Sequence, residues 1–149
     1  MDKALLLNRH LANAGLRITP QRLAICRLLA SSTEHPTAYD IYEQLLPEYP
    51  TISLSTVYNT LETLVNLGVV QELGSAGDDR VHYDADTAPH LNFACISCHR
   101  ILDLESKYVE ELEREVNYRS GYQVLGARLM YYGHCPDCAR STAGPRLEI

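Results

Sequence analysis

Two short cysteine pairs constrain the fold of this chain more than any other feature of its sequence. Cys95 and Cys98 form one C-x-x-C motif, and Cys135 and Cys138 form a second one after 36 intervening residues. Two thiolates at this spacing on a tight turn can bind one metal ion, and two such turns complete the tetrahedral shell of structural zinc. Thiolate donors also favour zinc over magnesium or manganese. The alternatives are two disulfides or buried free thiols.

The length and composition place the chain among globular proteins of one ordinary domain or two small ones. It has 149 residues and a net charge of −6. No apolar run approaches the roughly 20 residues that span a bilayer. The apolar run at 4–7 is too short for the core of a secretory signal. We therefore expect a cytoplasmic protein, and in a reducing compartment paired cysteines are more often metal ligands than disulfides.

The first 30 residues are basic although the chain as a whole is acidic. They carry one acid, Asp2, against five basic side chains: Lys3, Arg9, Arg17, Arg22 and Arg27. A basic patch of this kind could supply the phosphate contacts that dominate affinity for DNA. A solvated helix face is the alternative, and the charge pattern alone favours it.

Helix signals follow one another through the first half. A helix over about 3–14 stops at Gly15, and Thr19-Pro20 starts a second one with a capping hydroxyl and a proline. Thr37 and Asp40 have the spacing of a capping box at the start of a third. A fourth helix is predicted with Ser55 as its cap and an apolar stripe of Val57, Leu61, Leu64 and Val65.

After Gly68 the segments VVQEL and RVHYD read as two strands of a β-hairpin. Three helices, a turn, a further helix and a hairpin outline a winged helix-turn-helix domain. In such a domain the first turns of the reading helix enter the major groove, and here they carry Ser55, Thr56, Tyr58 and Asn59. Polar side chains at a helix start are also ordinary solvated residues, and the pattern alone leaves both interpretations open.

The second half predicts a small α/β unit with a thin core. LNFAC and RILDL read as strands, SKYVEELEREVNYRSG as an amphipathic helix that ends at Gly121, and YQVLGARLMYYGHC as one long strand. A unit of about 60 residues needs a metal, a partner subunit, or both. The boundary between the halves lies at 85–89, and the tail after Ala139 is expected to be mobile. Cys26 lies among apolar helix residues and is expected to be a core residue.

The sequence resembles the ferric uptake regulator family of metal-dependent repressors over about residues 5–139. The resemblance rests on GLRITPQR, HPTAYDIYEQL, STVYNTLETL, HYDADTAPH, CISCHRILDL and YGHCPDC taken together. It implies an α+β protein with a winged-helix DNA-binding domain over 1–84, a hinge over 85–89 and a dimerisation domain over 90–149. It further implies a homodimer on a palindromic double-stranded DNA operator, with one structural Zn²⁺ per subunit on the four cysteines.

The resemblance also implies a second, regulatory metal site near the hinge, for Fe²⁺ or Mn²⁺. Its ligands map to His35, Asp84, His90, Asn92 and Asp103. The family usually has histidine at the position of Asn92; an amide oxygen can ligate, but it is a hard and weaker donor. A lost ligand, with Asn92 bonded to a strand neighbour, is the alternative. His82 could substitute as a ligand, although a histidine on a strand surface is commoner.

Two positions resemble the peroxide-sensing branch of the family more than the iron-sensing one. Asp103 stands where iron sensors usually have glutamate, and Asn59 where many members have arginine. In the peroxide-sensing branch bound ferrous iron reacts with hydrogen peroxide and a ligand histidine is oxidised; here the eligible residues are His35 and His90. The resemblance also implies a base contact from Tyr58 and a minor-groove contact from Arg17.

The sequence therefore predicts a peroxide-responsive, metal-dependent transcriptional repressor without enzymatic activity. An iron, manganese or zinc homeostasis regulator of the same family is the nearest alternative. A zinc-stapled protein-interaction module is an alternative from another class. A zinc enzyme is disfavoured, because four cysteines close the zinc shell and leave no open position for water.

Overall fold

The computed structural model describes residues 2–141, which divide into two compact units. Within this range, unit 1 comprises residues 2–74 and 81–88, and unit 2 comprises residues 75–80 and 89–141. Each unit combines helices with a small β-sheet, which confirms the α+β class. No helix of residues 2–141 is long and apolar enough to cross a membrane.

Unit 1 contains four helices around one apolar core. They are α1 (Lys3–Asn13), α2 (Pro20–Ser31), α3 (Ala38–Leu45) and α4 (Leu54–Asn66). The core contains Leu7, Leu11, Ile25, Leu29, Ile41, Val57, Leu61 and Leu64, all of them buried. These residues recur at helical spacing, so each helix turns one apolar stripe inwards.

The helix starts in unit 1 follow local hydrogen-bonding chemistry. Thr19 caps α2 ahead of Pro20, and Thr37 and Asp40 form both bonds of a capping box at α3, which confirms these two predictions. The predicted cap of α4 was wrong by two residues. Ser53, not Ser55, is extended and accepts the backbone N–H of Thr56. Ser53 is the N-cap because its hydroxyl accepts the backbone N–H three residues later, which has no partner one turn earlier within the helix.

A short antiparallel hairpin completes unit 1. Strand β1 (Gln71–Leu73) pairs with β2 (His82–Asp84), with Gln71 opposite Asp84 and Leu73 opposite His82. Both strands are shorter than the predicted segments. Residues 75–80 of the loop that joins them group with unit 2, and no local sequence pattern predicts this arrangement.

Unit 2 is a three-stranded mixed sheet with two helices. Strand β3 (Leu91–Cys95) lies between β4 (Ile101–Leu104), which is antiparallel to it, and β5 (Leu129–Gly133), which is parallel to it. Helix α5 (Lys107–Ser120) precedes β5 and ends, as predicted, at Gly121, which is left-handed with φ of 71°. Helix α6 (Pro136–Ser141) follows β5.

One prediction for unit 2 was wrong in extent. The long strand predicted from residue 122 is confined to β5, because residues 122–128 do not pair with another strand. The mobility of the tail after Ala139 stays a prediction, because Arg140 and Ser141 belong to α6 and residues 142–149 lie outside the described residues.

Loop 75–80 packs on the turn between β3 and β4. The ring nitrogen Nδ1 of His99 lies 2.8 Å from the carbonyl oxygen of Ala76, which is fully buried. Gly77 is left-handed, with φ of 87°, and a Cβ atom there would lie 2.9 Å from the carbonyl oxygen of Ile96. Only glycine suits this position, because it combines a positive φ with a close backbone approach.

Candidate metal centres

The four paired cysteines converge in unit 2, as their spacing predicts. Cys95 ends β3, and Cys135 follows the parallel strand β5 by two residues, so the two turns meet at the same edge of the sheet. The four sulfur atoms all lie within 4.8 Å of one another, and Cys98 and Cys135 are 3.9 Å apart. All four cysteines are free thiols rather than disulfides. This geometry fits a closed tetrahedral zinc site.

The thiols of Cys95 and Cys138 in this cluster have very different pKa values. Burial tends to raise the pKa of Cys95, but the backbone N–H groups of Cys135, Cys98 and Ser97 outweigh it and lower that pKa to about 6. The pKa of Cys138 is raised to about 12, chiefly because its thiol hydrogen-bonds to Cys135. Backbone N–H groups that point at a sulfur stabilise its thiolate, and thiolate is the form that binds metal. The local backbone is therefore arranged to favour an anionic sulfur at Cys95.

Unit 1 brings His35 and Asp84 together as a buried imidazole–carboxylate pair. Nε2 of His35 lies 3.4 Å from Oδ2 of Asp84, and both side chains are almost fully buried. His35 stands in the loop before α3, and Asp84 ends β2. The other carboxylate oxygen of Asp84 accepts the backbone N–H of Asp86 at 2.7 Å, which fixes the orientation of the carboxylate.

Unit 2 brings His90, Asn92 and Asp103 together at one end of its sheet. Nε2 of His90 lies 3.4 Å from Oδ1 of Asp103. Asn92 in β3 pairs directly with Asp103 in β4, and directly opposed residues of a sheet project from the same face. His90 directly precedes β3, and its contact with Asp103 brings the imidazole to the same carboxylate. An imidazole, an amide and a carboxylate, all of them possible metal ligands, therefore lie on the same face at this end of the sheet.

The amide of Asn92 is the unusual member of this group. Its side chain is only 3% exposed, and within the described residues its oxygen Oδ1 accepts no hydrogen bond. A buried amide oxygen without a partner costs free energy, so such groups are rare unless something else binds them. The alternative role, in which a strand neighbour donates a hydrogen bond to Oδ1, is therefore absent from residues 2–141. An orphaned oxygen beside an imidazole and a carboxylate fits a metal ligand.

His82 has a role that was missing from the sequence-based expectations. It is buried, not on a strand surface, and its Nδ1 lies 2.7 Å from the backbone carbonyl oxygen of His35. A carbonyl oxygen can only accept, so Nδ1 carries the proton and donates it. The partners are 47 positions apart in the sequence, which explains why no local sequence signal indicated this bond.

The residues predicted to contact DNA lie on the surface of unit 1. Ser55, Tyr58 and Asn59 are exposed on α4, opposite its buried stripe, and half of the Tyr58 side chain is accessible. Thr56 is half-buried and its hydroxyl bonds to that of Ser53. Arg17 is exposed in the loop before α2, where its carbonyl oxygen accepts a hydrogen bond from Arg22. These side chains are accessible to a ligand, and their contact with DNA stays a prediction.

Known proteins resemble this chain over most of its length. The sequence profile of the Ferric uptake regulator family matches residues 13–132. The peroxide-responsive repressor PerR of Staphylococcus aureus is 41% identical over 128 residues, which are 86% of this chain and 86% of that protein. The family resemblance is thus carried by both units and not by a single motif.

Solved structures agree with the sequence comparison. PerR from Streptococcus pyogenes, described in terms of peroxide sensing and gene regulation, is 38% identical with a TM-score of 0.53, over 93% of this chain and 94% of that one. The peroxide stress regulator of Campylobacter jejuni is 30% identical with a TM-score of 0.71, over 93% of this chain and 100% of that one. The chain belongs to the ferric uptake regulator family of transcriptional regulators.

Proposed function

We propose that this protein is a homodimeric, peroxide-responsive repressor whose regulatory metal ion binds donors from both units. The observation that carries the proposal is the presence in each unit of a buried imidazole beside a carboxylate. His35 and Asp84 form one pair, and His90 and Asp103 form the other. The similarity to the peroxide-related regulators of Staphylococcus aureus, Streptococcus pyogenes and Campylobacter jejuni supports the same function.

The proposed regulatory site takes two imidazoles, two carboxylates and the amide oxygen of Asn92. Nitrogen and oxygen donors without thiolate suit Fe²⁺ or Mn²⁺. Asp84 and His90 are separated by five residues of chain, so a metal bound to both would restrain the hinge at 85–89. Metal binding would then select one arrangement of the units, and affinity for DNA would follow by linkage.

The four cysteines have a separate task in this proposal. One Zn²⁺ bound by Cys95, Cys98, Cys135 and Cys138 would hold β3 and β5 together at one edge of the sheet. A closed four-thiolate shell has no position for substrate or for an exchangeable water, which suits a structural ion. In this proposal the site with nitrogen and oxygen ligands regulates DNA binding, and the four-cysteine site stabilises the fold of unit 2.

DNA recognition is assigned to the exposed start of α4 and to Arg17. In this proposal Ser55, Thr56, Tyr58 and Asn59 read bases in the major groove, and Arg17 enters the adjacent minor groove. Two copies related by a two-fold axis would read a palindromic operator. Substitution of Tyr58 or Arg17 by alanine should weaken operator binding at least about tenfold at fixed salt. Unchanged binding by both variants would instead support a protein-interaction module.

The response to peroxide has a defined chemical balance. Fe²⁺ held by these donors would supply the redox chemistry that activates hydrogen peroxide. In the balanced reaction the O–O bond and a ring C–H bond of a ligand imidazole break, a C–O bond forms at that carbon, and the released hydrogen leaves with the second oxygen atom as water. The imidazole loses two electrons and the peroxide gains them. An oxidised imidazole is a poorer ligand, so the metal and the operator are released.

The experiment for this step compares iron and manganese in the same protein. The zinc-containing protein is loaded with Fe²⁺ or Mn²⁺, treated with hydrogen peroxide, and analysed by peptide mass spectrometry together with operator binding. We expect His35 or His90 to gain one oxygen atom in the iron form only, with loss of DNA binding. Persistent DNA binding without an added oxygen in the iron form would contradict peroxide sensing and favour a metal-homeostasis regulator.

A further inference from the structure

The backbone of His35 has a conformation that neighbouring residues must maintain. His35 is one of three non-glycine residues with a positive φ in the described part of the chain, at 53°. A left-handed backbone is unfavourable for a residue with a side chain, and it persists only where surrounding contacts fix it. These contacts therefore decide where the imidazole of His35 points.

Strand β2 supplies these contacts within unit 1. Nδ1 of His82 donates to the carbonyl oxygen of His35 at 2.7 Å, and the backbone N–H of Tyr83 donates to the carbonyl oxygen of Pro36 at 3.0 Å. Thr37 forms an isolated β-bridge with His82. The strand that carries Asp84 therefore also holds the segment that carries His35, which fits their 3.4 Å approach.

We propose that His82 is a positioning residue that presents His35 to the regulatory metal. The inference rests on the proposed function, because it assumes that His35 is a ligand. Since Nδ1 of His82 is used as a donor to a carbonyl, His82 does not bind metal through that atom. Its loss would leave the carbonyl of His35, a residue only 3% exposed, without this donor and would release the left-handed backbone.

The central experiment measures Mn²⁺ affinity of the full zinc-containing chain from the electron paramagnetic resonance signal of free Mn²⁺. Partners that orient a metal ligand typically contribute ten- to a hundredfold in metal affinity. We therefore expect His82→Ala to raise the Mn²⁺ dissociation constant at least about tenfold. The variant His82→Asn should stay within about threefold of wild type, because the amide nitrogen of asparagine takes the place of Nδ1 and can donate to the same carbonyl.

Two further variants separate positioning from general destabilisation and from failure of the proposed site. Ile41→Val removes one buried methyl group from the core of unit 1 and should lower stability without changing Mn²⁺ affinity. His35→Ala removes a proposed ligand. If His35→Ala binds Mn²⁺ as wild type does, the proposed ligand set is wrong.

The remaining outcomes concern His82 alone. If His35→Ala weakens Mn²⁺ binding but His82→Ala does not, the positioning role is wrong while the proposed site stands. If Ala and Asn at position 82 weaken binding equally, the hydrogen bond is not the cause and the inference also fails. Rescue by Asn, with Ile41→Val unchanged, would establish the role.

Discussion

At the scale of single residues, Asn92 would contribute a neutral oxygen to the proposed regulatory site, whose other donors are imidazoles and carboxylates. Its oxygen is buried and accepts no hydrogen bond within the described residues. An amide oxygen is a harder donor than imidazole nitrogen, so it favours Mn²⁺ relative to metals that prefer nitrogen ligands. Asn92 would thereby make metal binding weaker and easier to reverse.

We expect Asn92→His to tighten binding of the regulatory metal by about tenfold, or roughly 1.4 kcal/mol. The gain should be larger for Zn²⁺ than for Mn²⁺, because imidazole suits zinc better. Isothermal titration with each metal measures both values. Asn8→Ala is the matched control, since Asn8 in α1 is also a buried amide whose oxygen accepts no hydrogen bond within residues 2–141. Equal affinities for wild type and Asn92→His would show that Asn92 is not a ligand.

Cys26 differs from the other four cysteines in its surroundings, because it is fully buried in the apolar core of unit 1. Burial raises the pKa of its thiol to about 12, a value that Cys138 shares, but Cys138 is partly exposed and Cys26 is not. Thiolate is the reactive form, and an alkylating reagent must also reach it. We expect alkylation after zinc chelation to modify the four paired cysteines but not Cys26, as counted by mass spectrometry. Rapid labelling of Cys26 in the folded protein would contradict this assignment.

At the scale of secondary structure, the sequence predicted those features that depend on neighbouring residues. The capping box at Thr37 and Asp40 and the helix end at Gly121 each need only a few consecutive residues, and both are present. The extent of β5 depends on which backbone groups a distant strand offers, and this prediction was wrong. The bond between His82 and His35 joins residues far apart in sequence and gave no local signal.

The start of α4 provides a test that separates stability from DNA binding. Ser53→Ala removes the cap and should lower the free energy of unfolding by about 1 kcal/mol. Ser55→Ala lies one residue inside the helix and is exposed, so it should change stability by less than about 0.5 kcal/mol. Urea denaturation followed by circular dichroism measures both. If Ser55 contacts DNA as proposed, its variant should lose operator affinity without losing stability.

At the scale of the whole molecule, several large apolar side chains of unit 2 are exposed to solvent in the single chain. In α5 only Val109 is buried, while Leu112 and Val116 are exposed on the same helix. In β4, Leu102 and Leu104 are exposed as well. Large exposed apolar surfaces usually mark an interface. In the proposed homodimer, a second copy of this chain would cover these side chains.

We expect Leu112→Glu to raise the dimer dissociation constant at least about tenfold, because a charge would be buried in the interface. Sedimentation velocity at a series of protein concentrations measures this constant. Leu5→Glu is the control, since Leu5 is exposed to a similar degree on α1 of unit 1. If both variants remain dimeric at the same concentration, the interface lies elsewhere.

The grouping of loop 75–80 with unit 2 has a consequence for how such proteins can evolve. Recombination between two homologous genes at the hinge would join residues 1–88 of one parent to 89–149 of the other. The loop would then come from one parent, while Ile96 and His99, which it packs against, would come from the other. A larger side chain at position 77 could not fit so close to Ile96. Viable exchange of the second unit must therefore carry the hairpin loop with it, so the inherited module is discontinuous in the gene.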